Sequence, residues 1–337
     1  TLNMGTLHDM DNTYVNGKLV GTTYYQYPPR RYKVPAGLLH EGDNVITVRI
    51  TCKSGRPYFY KDKPHEFTFG DKSVNDPSRD RIEIALDWLT HPGGAMKHGP
   101  LGGPVDTNNQ ASVLYNAMVA PLAPYAISGV VWYQGESNTG KAWEYAPLLR
   151  KLTANWRAIW QRPDLPFNIV QLANHMEPSA HPQDTGWSQV REAQRTVANE
   201  SDFNSLTVAI DLGEAADIHP LRKREVAERC ALALSNVVYG KKNLLSPQPL
   251  SAALSADGTQ VIVTMDQPLQ GVDEAQEVEL KGDDGKFHTA KATVSGTQLI
   301  ITGKGTAVRY AWKNNPDRAN IYGNNNLPAS PFEIAVK

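Results

Sequence analysis

The feature that most constrains the fold is an alternation of apolar runs and helical patterns between residues 110 and 242. The apolar runs are GVVWY, PFNIVQLA and SLTVAIDL, and amphipathic segments separate them. Each run is continuously apolar, which is typical of strands buried on both faces of a parallel sheet. Parallel strands need crossover connections, and helices usually supply them. The sequence therefore predicts an α/β domain in which helices cover both faces of a parallel sheet.

Four segments around these runs have helical spacing of apolar residues. In the second segment one face carries six large apolar side chains, and in the fourth Cys230 occupies the apolar face as a small buried residue. The segments are QASVLYNAMVAPL, KAWEYAPLLRKLTANWRAIW, SQVREAQRTVANE and LRKREVAERCALALSNVVYG, and the six side chains are those of Leu148, Leu149, Leu152, Trp156, Ile159 and Trp160.

The flanking regions have β patterns. Asn16-Gly17 between TYV and KLVG predicts a tight hairpin, and DNVITVRI alternates as a half-buried strand does. After about Lys242, Gly-containing turn pairs punctuate short strands such as QVIVTM and QLIIT. We predict three domains: a β-sandwich or jelly roll over 1–75, the α/β domain over 76–242, and a C-terminal β-domain over 243–337. The long irregular stretch HPGGAMKHGPLGGPVDTNN is typical of a functional loop.

Composition excludes several classes of function. The chain has 337 residues and a net charge of −1, so no global field attracts nucleic acid or an anionic membrane. No apolar run approaches the roughly 18 residues that span a bilayer. Two cysteines far apart give neither a disulfide framework nor a clustered metal site. The histidines other than His219 lie in loops or β segments without paired acids, and no two have the spacing of a helical zinc site. We therefore expect no metal and no cofactor.

Two strand ends carry reactive side chains. WYQGESN follows the first apolar run, and IDLGEAADIHP follows the third. In open parallel sheets ligands bind beyond the carboxyl ends of the strands, so we expect both motifs to border one cleft, at neighbouring strands. His219 is the candidate general base for a hydroxyl nucleophile, and a carboxylate would orient its ring. Asp217 can do this within the same loop, and Glu136 can do it across the sheet.

Each of these residues also has a purely structural interpretation. His219 precedes a proline and is compatible with an ordinary loop position. Asp217 can equally be the cap of the helix that starts after Pro220. Glu136 and Asn138 can likewise cap the helix that begins near Lys141.

Two serines are candidate nucleophiles. Ser137 lies in GESNT, which lacks the final glycine of the G-x-S-x-G elbow, and Ser73 lies in a loop as the weaker candidate.

The motifs together resemble the sialate O-acetylesterase family of SGNH-type hydrolases. The resemblance is carried by YNAMVAPLAPYAISGVVWYQGESN, NIVQLA, WSQVREAQ and IDLGEAADIHP, and by YAWKNNPDRANIYGNNNLPASPFEI near the end. It implies an SGNH-hydrolase-like three-layer α/β/α domain with a jelly-roll β insertion and a C-terminal β-domain. It also implies a cofactor-free enzyme that removes acetyl groups from sugar hydroxyls. His219 matches the family's catalytic base, Asp217 and Glu136 its candidate acids, and Gln134 or Asn138 its oxyanion site.

One family element has no counterpart here. The family's nucleophilic serine lies in a Gly-Gln-Ser-Asn-Met motif upstream of the jelly-roll insertion, and this chain begins with TLNMGTLHDMD, which resembles the middle of that insertion. We therefore expect Thr1 to start partway through a longer protein, with the serine on a separate N-terminal fragment that is a candidate partner.

The expected substrate is an acetylated carbohydrate, either a sialic acid or a plant or bacterial glycan. The resemblance implies a periplasmic or extracellular location. The alternative function is a carbohydrate-binding protein on the same fold, catalytically inactive for want of a serine.

Overall fold

The computed structural model describes residues 1–52, 56–61, 63–70, 78–85, 87–91, 93–94 and 111–337. Ser73 and most of the irregular stretch between 91 and 109 lie outside the described residues. The chain forms two compact units, Thr1–Pro104 and Val105–Lys337. The division into three domains stays a prediction.

The described residues of the first unit form β-strands joined by turns and loops. Asn16 and Gly17 both have positive φ, at 48° and 78°, and they join two antiparallel strands as the hairpin pattern predicts. The strands form sheets in the orders β5-β1-β8-β9, β4-β3-β6 and β2-β7. Their bounds are β1 (Leu2–Met4), β2 (Leu7–His8), β3 (Met10–Val15), β4 (Lys18–Thr23), β5 (Arg31–Tyr32), β6 (Ile46–Thr51), β7 (Tyr58–Phe59), β8 (His65–Thr68) and β9 (Arg81–Glu83).

The second unit opens with the α/β region. Its described strands form one parallel sheet in the order β10-β11-β12. A π-helical turn (Tyr115–Val119) and a 3-10 turn (Ala120–Leu122) lie within the segment where the first helix was predicted. Pro121 has no backbone N–H to donate, so a regular α-helix does not continue through it. The elements are β10 (Val130–Trp132), a 3-10 segment (Glu136–Glu144), α1 (Tyr145–Ile159), β11 (Phe167–Val170), α2 (Gly186–Ala198), β12 (Asn204–Thr207) and α3 (Lys223–Tyr239).

Helices cover both faces of the sheet. Ile169 of β11 packs among buried residues of α1 and α2, whereas Val170, which points to the opposite face, packs with Val226 and Cys230 of α3. The predicted burial on both faces is correct for β11, whose residues are all buried. It is wrong for Val131, which is half-exposed on β10, one of the two edge strands of the described sheet.

Two other expectations need correction. The third strand is shorter than the run SLTVAIDL and ends at Thr207, and the Arg229 guanidinium donates to the next carbonyl, that of Val208, at 2.8 Å. Leu148 is exposed, since the buried stripe of α1 runs through Tyr145 and Leu149 and leaves Leu148 at its border.

The C-terminal region forms two antiparallel sheets, β13-β14-β18-β17 and β16-β15-β19-β20. Large apolar side chains such as Val261, Leu299 and Phe332 fill the core that these strands share. The strands are β13 (Pro249–Leu254), β14 (Gln260–Met265), β15 (Val278–Lys281), β16 (Phe287–Thr289), β17 (Ala292–Ser295), β18 (Gln298–Thr302), β19 (Ala307–Tyr310) and β20 (Phe332–Ala335).

A fully buried arginine ties this region to the α/β sheet. Arg191 of α2 donates to the carbonyls of Leu172 (2.7 Å) and Ala173 (2.8 Å) just beyond β11. It also donates to the carbonyls of Lys313 (2.6 Å) and Asn314 (3.0 Å) in the loop after β19. Burial lowers the pKa of this guanidinium, and the carbonyl dipoles satisfy its donors. The end of β11 is thereby fixed from two directions.

Candidate active site

The turn after β10, residues 134–138, is built on buried contacts. Gly135 has φ 148°, and a Cβ there would lie 3.0 Å from a methyl carbon of Val190, so only glycine fits. The backbone carbonyl of Gln134 accepts hydrogen bonds from the Tyr145 hydroxyl (2.7 Å) and from Nε2 of buried Gln194 (3.0 Å). The turn is therefore held by side chains of α1 and α2.

Within this turn, Gln134 and Asn138 contact each other directly. Nε2 of Gln134 donates to Oδ1 of Asn138 at 2.9 Å. The Asn138 oxygen accepts that bond, so the Nδ2 group of Asn138 is not used in it. This N–H group is suited to donate to an oxyanion. The side chain of Asn138 does not cap α1, since that helix begins at Tyr145 and no side chain caps its first turn.

Glu136 and Ser137 occupy the first turn of the 3-10 segment. Glu136 is half-buried and Ser137 is exposed. Glu136 does not cap α1 either, for the reason given for Asn138. Its charge acts on Tyr133, whose pKa rises to about 12, chiefly because the phenol is buried and secondly because of the Glu136 carboxylate.

The loop after β12, residues 211–220, is held mainly by bonds at its base and within itself. Asp211 forms a two-pronged ion pair with Arg229 of α3, at 2.6 and 2.8 Å. Oε1 of Glu214 accepts a hydrogen bond from the Leu221 backbone N–H at 2.8 Å. These two carboxylates therefore shape the loop.

Asp217 and His219 lie in this loop. Oδ1 of Asp217 accepts a hydrogen bond from the His219 backbone N–H at 2.8 Å. The interpretation of Asp217 as the cap of α3 is wrong, because α3 begins at Lys223 with Arg222 at the cap position. The carboxylate instead fixes the backbone of His219, which is itself exposed.

The expectation that the two polar clusters follow neighbouring strands is wrong, because β11 lies between β10 and β12. The end of β11 supplies residues that sequence reasoning missed. Oδ1 of Asn174 accepts from the Gly213 backbone N–H (2.7 Å), and Nδ1 of His175 lies 3.3 Å from the Glu214 carbonyl. The Asn-His pair directly after a buried strand was the available signal.

Lys223 connects the clusters electrostatically. Its Nζ lies 5.0 Å from the centroid of the Tyr133 ring, next to the turn. Partial burial lowers the pKa of this lysine, and the carboxylates of Glu136, Asp217 and Glu214 oppose that shift. Carboxylates of both motifs thus act on the pKa of one ammonium group. Sequence reasoning missed Lys223, whose position in the first turn of α3 gave no separate signal.

Other ionisable groups give no metal centre. No group of three His, Cys, Asp or Glu side chains within the described ranges could hold a metal ion. The expectation that the remaining histidines have no acidic partner is wrong for His288, whose Nε2 lies 3.0 Å from Oδ2 of Asp284 on the exposed hairpin between β15 and β16. Among the helices in the described parts of the chain, none is both long and apolar enough to cross a bilayer.

Comparison with known proteins identifies the family. The model of the carbohydrate esterases described as sialic acid-specific acetylesterases matches residues 67–227, a range that contains both motifs. Over residues 67–227 the chain belongs to this family. Mouse sialate O-acetylesterase is 33% identical over 254 residues, which are 66% of this chain and 47% of the relative. The human sialate O-acetylesterase is 30% identical over 279 residues, 71% of this chain and 51% of the relative.

A solved structure supports the same placement. A carbohydrate acetylesterase from Xanthomonas citri superposes with a TM-score of 0.61 at 35% identity, covering 65% of this chain and 53% of that one. The resemblance seen in the sequence and the α/β fold with a C-terminal β-domain are therefore confirmed. The chain spans about half the length of the curated relatives that it matches.

Proposed function

We propose that this protein is a carbohydrate O-acetylesterase, which hydrolyses acetyl esters on sugar hydroxyls. The observation that carries the proposal is that an amide-bearing turn and a histidine-bearing loop follow the carboxyl ends of two strands of one parallel sheet, and that carboxylates of both act on the pKa of Lys223. The names of the mouse and human relatives favour an O-acetylated sialate as the sugar.

The proposed reaction follows Ser-His-acid chemistry. A serine oxygen attacks the acetyl carbonyl while His219 accepts the serine proton, and the tetrahedral intermediate collapses as His219 protonates the departing sugar oxygen. Water then attacks the acetyl-serine with His219 again as base, which releases acetate and restores the serine. Asp217, with Glu136 as second choice, supports the imidazolium. Asn138, positioned by Gln134, donates to the oxyanion.

The serine itself is proposed to come from outside these 337 residues, on an N-terminal segment of the same protein. Two features support this. The elbow motif is incomplete at Ser137, and β10 is an edge strand of the described sheet, where a further strand can pair through its backbone. We propose a periplasmic or extracellular location, which the family resemblance favours.

The test is the hydrolysis of an acetylated sugar by the full-length protein. We expect His219→Ala to lower kcat/KM by about 10³-fold or more, because the loop 211–220 has no second imidazole to carry the proton. His181→Ala is the matched control, since His181 also lies exposed before a proline in a loop. An unchanged kcat/KM for His219→Ala would reject the proposed base.

A further inference from the structure

Three tyrosines are exposed together in the first unit, on the loop between β4 and β5. The exposed fractions are 74% for Tyr24, 56% for Tyr25 and 48% for Tyr27. The rings of Tyr25 and Tyr27 meet edge to face, with centroids 6.4 Å apart. The segment TTYYQYPP that carries them has no charged residue. Single exposed aromatic side chains are common, but three within four residues form a patch that calls for a ligand or a partner.

A buried arginine fixes the backbone of this loop. Arg30 is fully buried, and its Nη1 donates to the carbonyls of Gln26 (2.7 Å) and Pro28 (2.8 Å). Its Nη2 donates to the carbonyl of Tyr25 at 3.0 Å, and its Nε donates to the Asp11 carboxylate at 2.8 Å. A buried guanidinium is stable only when its donors are satisfied, so the loop must keep the shape that satisfies them.

Asp11 anchors this arrangement in the sheet. Its second carboxylate oxygen accepts from the Tyr32 hydroxyl (2.8 Å) and from the Thr13 hydroxyl (2.7 Å). A Cβ at position 21 would lie 1.9 Å from the Tyr32 ring, so Gly21 lets that ring pack against β4. The tyrosine-bearing loop is thus braced by the strands on both sides, and its rings are presented with little freedom to lose on binding.

We propose that Tyr24, Tyr25 and Tyr27 form a glycan-binding surface, which holds uncharged sugar units. Exposed aromatic faces stack on the apolar C–H face of a pyranose, and the phenol hydroxyls can bond its hydroxyl groups. The uncharged segment favours a neutral ligand over an anionic one. The choice of a glycan as the occupant rests on the proposed function.

The surface is tested by affinity electrophoresis of the full-length protein in gels that contain soluble xylan, glucomannan or polysialic acid. We expect retardation in at least one of the two neutral polysaccharides. The double variant Tyr24→Ala/Tyr25→Ala should weaken that affinity about 10-fold or more, since two stacking contacts are lost. Tyr24→Phe/Tyr25→Phe keeps the rings and should stay within about threefold. Tyr125→Ala is the matched control, because Tyr125 is 76% exposed in the other unit.

The outcomes separate this surface from the proposed esterase activity. Tyrosine-dependent retardation of a protein that cannot cleave acetyl esters would support the surface and break the proposed function. No retardation in either neutral polysaccharide, or an equal loss in Tyr125→Ala, would overturn the surface whatever the esterase activity. Tyrosine-dependent retardation in polysialic acid alone would also overturn it, since the ligand would then be anionic.

Discussion

The turn at 134–138 and the loop at 211–220 lie at the same end of one sheet but are stabilised in different ways. The turn is fixed by side chains that are buried in the domain core, Tyr145 and Gln194, which both bond the Gln134 carbonyl. The loop is held by an ion pair at its base, by bonds with Asn174 and His175 beyond β11, and by bonds within itself, and His219 is exposed. The turn of the candidate site is thus anchored by buried side chains, whereas the histidine of the loop is open to solvent.

This difference matches the two tasks in the proposed reaction. An oxyanion donor is effective when its position is set before the reaction, because no reorganisation is then needed as charge develops. A general base must meet both the nucleophile and the leaving oxygen, and it needs access to the substrate. Core contacts suit the first task, and a short exposed loop suits the second.

The largest effect should come from the acid that supports His219. We expect Asp217→Asn to lower kcat by about 10³-fold and Glu136→Gln by about 10-fold or less. Asp217 shares the histidine's loop and already fixes its backbone N–H, whereas Glu136 belongs to the opposite motif. Steady-state kinetics of the full-length protein on an acetyl ester measure both. A larger loss in Glu136→Gln would transfer the supporting role to the turn.

An intermediate effect should come from the amide pair. We expect Asn138→Ala to lower kcat by about 10²-fold, the usual range for an oxyanion donor, with KM nearly unchanged. Gln134→Ala should lose less, about 10-fold, since it acts by orienting Asn138. Ser137→Ala is the control in the same turn and should stay near wild type. If Ser137→Ala instead abolishes activity, the nucleophile lies in this chain.

The smallest effect should come from Lys223, which lies between the two parts of the site. Since burial lowers the pKa of this lysine, its charge is lost at a lower pH than that of an ordinary lysine as the pH rises. We expect Lys223→Met to lower kcat/KM about threefold at pH values where the native lysine is charged, which lie below the alkaline limb of the pH profile. Lys223→Arg should keep activity and shift that limb to higher pH. Identical pH profiles for wild type and both variants would show that this charge has no role.

The sequence predicted those parts of the molecule that depend on periodicity. Continuous apolar runs such as PFNIV can only be buried strands or helices, and their length and spacing identified the parallel sheet, which the structure has in the order β10-β11-β12. The Asn16-Gly17 hairpin was predictable because few residues tolerate positive φ at both central positions.

Pairings between distant residues could not be predicted. Gln194 looks like a polar residue on the outer face of an amphipathic helix, yet it is fully buried and bonds Gln134, 60 positions away. The capping interpretations of Asp217 and Asn138 were wrong because each side-chain oxygen found a nearer donor, a backbone N–H or an amide. Such choices depend on which donors the folded chain brings together, and local propensity does not encode them.

The four carbonyls around Arg191 have a consequence for how the protein can be divided. Two of them come from residues 313 and 314, so a shortened form that stops after α3 would retain the cation and lose half of its acceptors. The charge would then lack these acceptors beside the end of β11. The C-terminal β-region is therefore an integral support of the α/β sheet, and a form of the protein without it would need a replacement for Arg191.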